Sequence, residues 1–232
     1  MAKAYILPTD PDVLTSFATS EGTLELDTEF FGEPVFHPRG EPSFSAYTGL
    51  SPSLEMEVLA EIQFWPGSSG GGRFAGGVGV LVSDAAATGI SAESTIVNST
   101  TGNNERLIEW SNGSRSIVAD IGDSPVNIEN WHFLKVKVGA SGIVTLFRWE
   151  GQVDEPPATP MASYQVPAGF LIARYAGIVS RNPQRRVGYR FLSIGTDGDP
   201  APTSPVAAGP TTPTGLITSA ITATGFRAGW TP

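Results

Sequence analysis

Trp131-His-Phe-Leu-Lys-Val-Lys-Val138 is followed by Gly139-Ala-Ser-Gly142 and then by Ile143-Val-Thr-Leu-Phe-Arg-Trp149. In the first segment, Trp, Phe and two Lys alternate with His, Leu and two Val, which is the period-two pattern of a β-strand with one buried face. The second segment supplies the glycines of a tight turn, and the third continues as another strand. The stretch predicts an antiparallel β-hairpin.

Similar signals recur along the chain. From Leu54 to Trp65, six apolar residues alternate with a set that includes three Glu. A second hairpin is predicted for residues 106–120 around Asn112-Gly113, because both positions of Asn-Gly tolerate positive φ. Further strands are predicted at residues 24–30, 78–82, 169–179 and 186–194, and a short helix at residues 10–19. Many strands joined by Gly-rich turns predict an all-β fold, an antiparallel jelly-roll sandwich.

The composition excludes several classes of protein. The 232 residues include 27 Gly and 19 Pro but no Cys, so a disulfide scaffold, a thiolate nucleophile and a Cys-built metal site are excluded. With 14 Lys+Arg against 23 Asp+Glu, the net charge of −9 argues against nucleic acid and anionic membranes as partners. Neither a membrane-spanning run nor a signal peptide is recognised, and no cofactor is expected.

Charge is unevenly distributed. Residues 1–155 hold 21 acids and 8 bases, whereas residues 156–196 hold five bases and no acid. A basic stretch of this kind could contact an acidic neighbouring subunit, or its arginines could pair across strands with the chain's own carboxylates. The five bases are Arg174, Arg181, Arg185, Arg186 and Arg190.

Composition also suggests where the β domain ends. Five Pro fall within residues 200–213, which is typical of an extended linker. We therefore expect an N-terminal arm at residues 1–14, a sandwich at 15–198, a Pro-rich linker at 199–212 and a further segment at 213–232. The arm, like the basic stretch, is a candidate for subunit contacts.

Two segments carry a resemblance to known families. Residues 131–151 resemble the paired central strands of the concanavalin A-like lectin/glucanase and laminin G-like superfamily, where a Trp opens an alternating strand and the next strand leads to a Gly turn. Arg190-Phe-Leu-Ser-Ile-Gly195-Thr-Asp-Gly198 is similar to the closing strand of such modules in bacteriophage structural proteins. The resemblance covers residues 15–198 and implies a lectin-like β-sandwich.

The C-terminal segment has a resemblance of its own. Pro213-Thr-Gly-Leu216, followed by Ile221-Thr-Ala-Thr-Gly-Phe226-Arg-Ala-Gly-Trp230, is similar to the opening of a fibronectin type III domain. Only the opening is present, against the roughly 100 residues of the complete domain. Together the resemblances imply a bacteriophage virion protein, such as a tail, fibre or tip component. Its partners would be other virion subunits, as in a homo-oligomer, and host-surface glycan.

One motif suggests catalysis. Glu25-Leu-Asp27-Thr-Glu29 resembles the E-x-D-x-E strand of retaining β-glucanases, which implies Glu25 as nucleophile, Asp27 as the tuning carboxylate and Glu29 as acid/base. In that family, however, the motif lies on a central strand, whereas here it falls in the expected first strand. An acidic solvent face on an edge strand is the alternative.

Ligand binding offers weaker candidates. Exposed aromatic rings would suit a sugar, and Trp65, Trp110 and Trp149 are the candidates, although some Trp must be core. Asp197 and Asp199 could contribute to a calcium site, or simply form a turn before the linker. The leading hypothesis is a non-enzymatic virion protein whose lectin-like domain serves assembly or host attachment. The alternatives are a glycan-binding lectin module and a β-glucanase.

Overall fold

The computed structural model describes residues 2–65, 74–96, 103–124, 129–181 and 187–205. Within these ranges the backbone forms thirteen β-strands and two short 3-10 turns, Val13–Ser16 and Ala168–Phe170. In chain order the strands are β1 (Lys3–Ile6), β2 (Phe17–Asp27), β3 (Val35–Tyr47), β4 (Met56–Phe64), β5 (Phe74–Val82), β6 (Gly89–Ile96), β7 (Asn103–Ser111), β8 (Ser114–Ser124), β9 (His132–Val138), β10 (Ile143–Trp149), β11 (Ala162–Gln165), β12 (Tyr175–Arg181) and β13 (Val187–Thr196).

The strands form two packed layers. The hydrogen-bonded order is β11-β10-β9-β4-β13-β3-β12-β5-β6-β7-β8, with β1 beside β13 and β2 beside β3. β13 meets β3 at the pair Tyr189 and Phe36, and the far half of β3 then pairs with β12. The path therefore folds back on itself. The first layer holds β11, β10, β9, β4, β13 and β1, and it faces a second layer of β12, β5, β6, β7 and β8.

Two glycines form a bend in the β2–β3 pair, and β3 pairs with β13 of the first layer on one side of this corner and with β12 of the second layer on the other. The β2–β3 register shifts around Gly22, which has a φ of 69°, while Gly40 of β3 has a φ of 130°. A Cβ on Gly22 would lie 2.3 Å from the Arg39 carbonyl oxygen, and one on Gly40 would lie 2.7 Å from the Gly22 Cα. Both the positive φ and the close backbone contact require glycine at this corner.

Apolar side chains of both layers fill the space between them. β9 contributes Leu134 and Val136, and β5 contributes Val78 and Val80, all fully buried. Tyr189 ties the layers together, because its hydroxyl accepts a hydrogen bond from the Gly77 N–H at 2.8 Å. Apolar side chains therefore alternate along the strands, and each layer turns one apolar face inward, as in an antiparallel sandwich.

A buried polar cluster interrupts this apolar interior. Arg148 Nη1 of β10 lies 2.9 Å from Glu105 Oε1 of β7, and the two side chains are 1% and 0% exposed. Ser94 Oγ donates to Glu105 Oε2 at 2.7 Å and lies 3.0 Å from His132 Nε2. Burial raises the pKa of Glu105 and lowers that of Arg148, and each charge partly offsets the effect on the other. The cluster is an ion pair that links the two layers.

The all-β prediction is confirmed, and so are both hairpins. β9 and β10 pair as expected, and β7 and β8 meet at Asn112 and Gly113, which have φ values of 49° and 80°. The helix predicted at residues 10–19 is wrong: one 3-10 turn ends at Ser16 and β2 begins at Phe17.

Residues at both predicted domain limits pack on the sandwich. β1 lies within the expected N-terminal arm and pairs with residues 192–195 of β13, so this arm supplies a strand of the first layer. At the other end, Ala201 is buried and the Ser193 hydroxyl donates to the Pro202 carbonyl, so the start of the expected linker packs on the sandwich. The fibronectin-like segment at 213–232 lies outside the described residues. Among the helices of the described ranges, none has the length and apolar character to cross a membrane.

Candidate functional site

A groove lies on the outer side of the first layer, between the N-terminal segment and the loop that follows β10. Its volume is about 480 Å³. The floor is formed by strands β4, β9 and β13, and the walls by β1 with the residues after it, the segment around Pro34 and the loop at 151–153. A volume of this size is within the usual range for small-molecule sites, roughly 300–1,000 Å³. The groove is therefore large enough to hold a small ligand.

Aromatic rings form the apolar part of the groove. Tyr5 of β1 stacks on Phe191 of β13, with ring centroids 4.8 Å apart and planes 18° apart. Phe133 of β9 lies 6.4 Å from Phe191 and 5.3 Å from Trp149. These rings belong to an apolar cluster on the side of the layer that faces away from the core. The β1–β13 pairing brings Tyr5 into this position.

Charged side chains form the polar part. Arg190 donates from Nε to Glu33 Oε1 at 2.7 Å and from Nη1 to Glu61 Oε1 at 3.0 Å. The guanidinium also lies 4.0 Å from the centroid of the Trp131 ring, a cation–π contact. Arg190 is thus fixed between an aromatic face and two carboxylates, which leaves one formal negative charge on the three ionised groups.

The surroundings of the groove raise the pKa values of the Glu61 carboxyl and of the Tyr5 phenol. Burial raises the pKa of Glu61, Arg190 opposes that rise, and the neighbouring Glu33 adds to it. Burial, with a smaller contribution from Glu61, also raises the pKa of Tyr5. The Tyr5 hydroxyl therefore remains protonated at neutral pH and can donate a hydrogen bond to a ligand.

The predicted catalytic residues lie on the edge of the fold. Glu25 pairs with Arg39 at 2.9 Å, and the Glu25 side chain is 44% exposed. Asp27 Oδ1 accepts hydrogen bonds from the backbone N–H groups of Glu29 and Phe30, which forms the turn that ends β2. Glu25 and Asp27 therefore each have a contact that suits a structural role, and a catalytic role for the three acids stays a prediction.

The three tryptophans predicted to bind glycan occupy different places. Trp110 is 2% exposed, and its Nε1 donates to Ser91 Oγ at 2.9 Å. Trp149 is 8% exposed and donates to the Gln152 carbonyl at 2.7 Å, which positions the loop that forms one groove wall. Trp65 is half-buried and meets Phe31 edge to face. Glycan contact by these side chains stays a prediction.

The basic stretch does not form one surface among the described residues. Arg190 lines the groove on the first layer, whereas Arg181 lines a pocket on the second layer. Arg174 lies with its guanidinium 5.5 Å from the Phe170 ring centroid, and burial lowers its pKa. Arg185 and Arg186 lie outside the described ranges, and subunit contact by the stretch stays a prediction.

The predicted calcium residues have protein partners. Asp197 Oδ1 accepts from the Ser53 hydroxyl at 3.0 Å, and Asp199 Oδ1 lies 3.7 Å from Lys3 Nζ. Across the described ranges, no group of three or more His, Asp or Glu side chains is placed to hold a metal ion.

Most groove residues were missed by reasoning from the sequence. The sequence predicts Arg190 as a subunit contact and includes Arg190 and Phe191 in the resemblance of residues 190–198, but no sequence pattern marks Tyr5, Glu33 or Phe191 as ligand-binding. One signal was available: Phe133 shares its strand face with Lys135 and Lys137, and an aromatic on a polar face indicates a surface that something covers.

Comparisons with solved structures identify the fold. The carbohydrate-binding module CBM66 from Bacillus subtilis matches with a TM-score of 0.54 at 14% identity, over 78% of this chain and 96% of that one. The exoplasmic/lumenal domain of VIP36 in its Ca²⁺/Man3GlcNAc-bound form gives 0.51 at 8% identity, over 84% and 90%. The CBM2 module of the evolved Dit protein of Lactobacillus casei BL23 phage J-1 gives 0.51 at 8% identity, over 84% and 96%.

These similarities extend over most of the described chain at low identity, so they show the fold. The chain has the lectin-like jelly-roll sandwich of the concanavalin A-like type. No protein-family model matches the sequence, and no curated protein matches it either.

Proposed function

We propose that this chain is a lectin-like carbohydrate-binding module and that its ligand lies in the groove on the first layer. The observation that carries this proposal is the Tyr5–Phe191 stack beside the charged group of Arg190, Glu33 and Glu61. A sugar ring presents apolar C–H groups on its faces and hydroxyls around its edge. A site with aromatic surface and a few fixed polar groups matches both features.

Each part of the groove has a role in binding. The exposed part of Tyr5 packs against the sugar ring, and the buried ring of Phe191 supports Tyr5 from beneath. Arg190 engages Oε1 of both carboxylates, so Oε2 of Glu33 and Oε2 of Glu61 can accept hydrogen bonds from sugar hydroxyls. Because Arg190 is held at three points, counting Trp131, little side-chain entropy is lost when the ligand arrives.

We further propose that the module binds sugar without cleaving it. This is supported by the ion pair that occupies Glu25 and by the turn that Asp27 organises, since both contacts account for the E-x-D-x-E motif without catalysis. The β-glucanase alternative predicts hydrolysis that Glu25→Gln abolishes. A chain that releases no reducing sugar from a β-glucan would eliminate that alternative.

For the biological setting we propose a bacteriophage virion, with the module in a tail, fibre or tip. The proposal rests on the resemblances of residues 190–198 and 213–232, together with the fold shared with a module of a phage Dit protein. In this setting the module would contact other virion subunits, as part of a homo-oligomer, and host-surface glycan. Immunogold labelling of phage particles that encode the protein tests the location directly, and particles without label would overturn it.

Glycan binding is tested by screening the full chain on a glycan array and measuring the affinity of each hit by calorimetry. Tyr5→Ala removes one ring of the stack, and Glu33→Gln removes the charge of a carboxylate that is 40% exposed. We expect each variant to weaken binding about tenfold, the value of one lost charge-assisted hydrogen bond or ring contact.

Glu25→Gln is the matched control. Like Glu33 it is a partly exposed Glu paired with an Arg, with 44% side-chain exposure, but it lies outside the groove. Its affinity should equal that of the wild type. A wild-type chain that binds no glycan, or equal losses in Glu33→Gln and Glu25→Gln, would contradict the proposed site.

A further inference from the structure

The charged side chains of the groove do not neutralise one another. Among the described residues that line it, Glu33, Glu61 and Arg190 carry charge. Arg190 Nε and Nη2 both lie 2.7 Å from Glu33 Oε1, and Nη1 donates to Glu61 Oε1 at 3.0 Å. One guanidinium therefore serves two carboxylates, which leaves one formal negative charge at the groove.

Both carboxylates keep an oxygen for a ligand. Within the described ranges, Glu33 and Glu61 make their side-chain contacts through Oε1, so Oε2 of each remains available as an acceptor. The Glu33 side chain is 40% exposed and that of Glu61 is 17% exposed, and both line the groove. A molecule in the groove can therefore reach this pair without displacing Arg190.

The surroundings of the groove do not supply the missing positive charge. Lys135 and Lys137 of β9 both pair with Glu57, at 3.6 Å and 3.8 Å. Glu57 lies four residues from Glu61 along β4, about 13 Å away at the rise of a strand. Residues 7–12 and 150–155, which include two walls of the groove, hold no base and five acids: Asp10, Asp12, Glu150, Asp154 and Glu155.

We propose that the ligand of the groove is an amino sugar, a hexosamine whose amino group is not acetylated, and that Glu33 and Glu61 bind its ammonium. This proposal rests on the proposed function and names the class of sugar. An ammonium has three N–H donors and no acceptor, so it can donate to both Oε2 atoms at once. The ring of the same sugar packs against Tyr5, which is held by its stack on Phe191.

The titration of Glu61 agrees with a second cation at this place. Burial raises the pKa of Glu61, Arg190 opposes that rise, and the charge of Glu33 adds to it. The raised pKa means that the ionised carboxylate is less stable here than in water, even with Arg190 bonded to it. A ligand ammonium would stabilise the ionised form, whereas a neutral acetamido group would not.

The test compares sugars that differ only at the amino group. D-Glucosamine and D-galactosamine are titrated into the full chain by calorimetry, each beside its N-acetyl form, in low-salt buffer. A pH of about 6.5 keeps the amino group protonated if its pKa is near that of an α-amine, about 7.7–8.0. We expect at least one free hexosamine to bind at least about tenfold tighter than its N-acetyl form, and the preference to shrink as NaCl is added.

The outcomes separate this proposal from the proposed function. N-acetyl forms that bind as well as the free hexosamines, or a glycan array whose hits all lack a free amino group, would overturn the amino sugar and leave the groove as a site for neutral sugar. A chain that binds no sugar of either kind would overturn both proposals.

Variants locate the ammonium. Glu33→Gln keeps the size of an exposed side chain and removes its charge, so the preference for the free hexosamine should fall at least about fivefold. Tyr5→Ala removes a ring contact common to both forms, so both affinities should fall while their ratio stays. Glu25→Gln, the matched control outside the groove, should keep the full preference. An unchanged preference in Glu33→Gln would contradict the proposed contact.

A simple amine separates sugar recognition from attraction of any cation. Methylammonium chloride has the same kind of charge without a sugar ring. It should displace the bound hexosamine only at a concentration at least about tenfold above that at which free hexosamine does so, because it lacks the contact with Tyr5. Displacement at equal concentrations would show that the groove binds a cation and not an amino sugar.

Discussion

The stability of this protein should depend on pH through His132, which is neutral in the folded chain and becomes protonated when the chain unfolds at low pH. His132 is fully buried beside Arg148, and burial together with that positive charge lowers its pKa from 6.5 to about 3. Below pH 6.5 the unfolded chain binds a proton that the folded chain does not. The free energy of unfolding therefore falls as the pH decreases from about 6.5 towards 3.

The size of the effect follows from these two values. One pKa unit corresponds to about 1.4 kcal/mol, so at pH 5 the unfolded state gains about 2 kcal/mol from protonation of His132. Glu105 acts in the opposite direction, because its pKa is raised by burial. Its proton is taken up by the folded chain first, and stability from this group is lost as the pH rises through its folded pKa. A wild-type profile alone would mix the two contributions.

The variant His132→Gln separates the contribution of His132 from that of Glu105. Glutamine at position 132 keeps a hydrogen-bond donor and an acceptor near Ser94 and the Asn130 carbonyl, which lie 3.0 Å and 2.9 Å from the His132 ring nitrogens. Glutamine at this position does not titrate, so the variant keeps the contributions of Glu105 and the other acidic groups and loses only that of His132. Urea unfolding followed by tryptophan fluorescence at pH 7.5, 6.5, 5.5 and 5 gives the free energy of unfolding of both chains.

Between pH 7.5 and pH 5 the wild type should lose about 2 kcal/mol more than the variant, whatever their difference at pH 7.5. Profiles that run parallel within about 0.5 kcal/mol would refute the reasoning, because His132 would then titrate alike in both states.

Two further predictions concern the architecture. Arg148→Met should lower the free energy of unfolding by about 3–5 kcal/mol, since it leaves Glu105 charged and buried, and adding Glu105→Leu should restore most of it; a single variant as stable as the wild type in urea would contradict the buried ion pair. Gly22→Ala should destabilise by more than Gly32→Ala does in the same assay: both positions have positive φ, at 69° and 71°, but the added Cβ meets the Arg39 carbonyl at 2.3 Å in the first and nothing within 4 Å in the second. Equal losses in the two glycine variants would mean that the corner can relax.

Local signals allowed the hairpins to be predicted. The β7–β8 turn depends on Asn112-Gly113, whose positive φ values are a property of those two residues. β6 gave no such signal, because Ser91, Glu93 and Ser94 replace apolar residues on its two faces and are buried only through partners elsewhere in the chain. A period-two reading cannot recognise a strand whose polar residues are satisfied by distant side chains.

The groove could not be predicted from local sequence either, because its residues come from segments far apart in the chain. Tyr5 and Phe191 are 186 positions apart, and they meet because β1 pairs with β13. Glu33, Glu61 and Arg190 lie on three segments that the sequence separates. Their residue types are unremarkable one by one, and only the fold assembles them. The sequence therefore predicted the strand pattern, while the site depended on strand order and register.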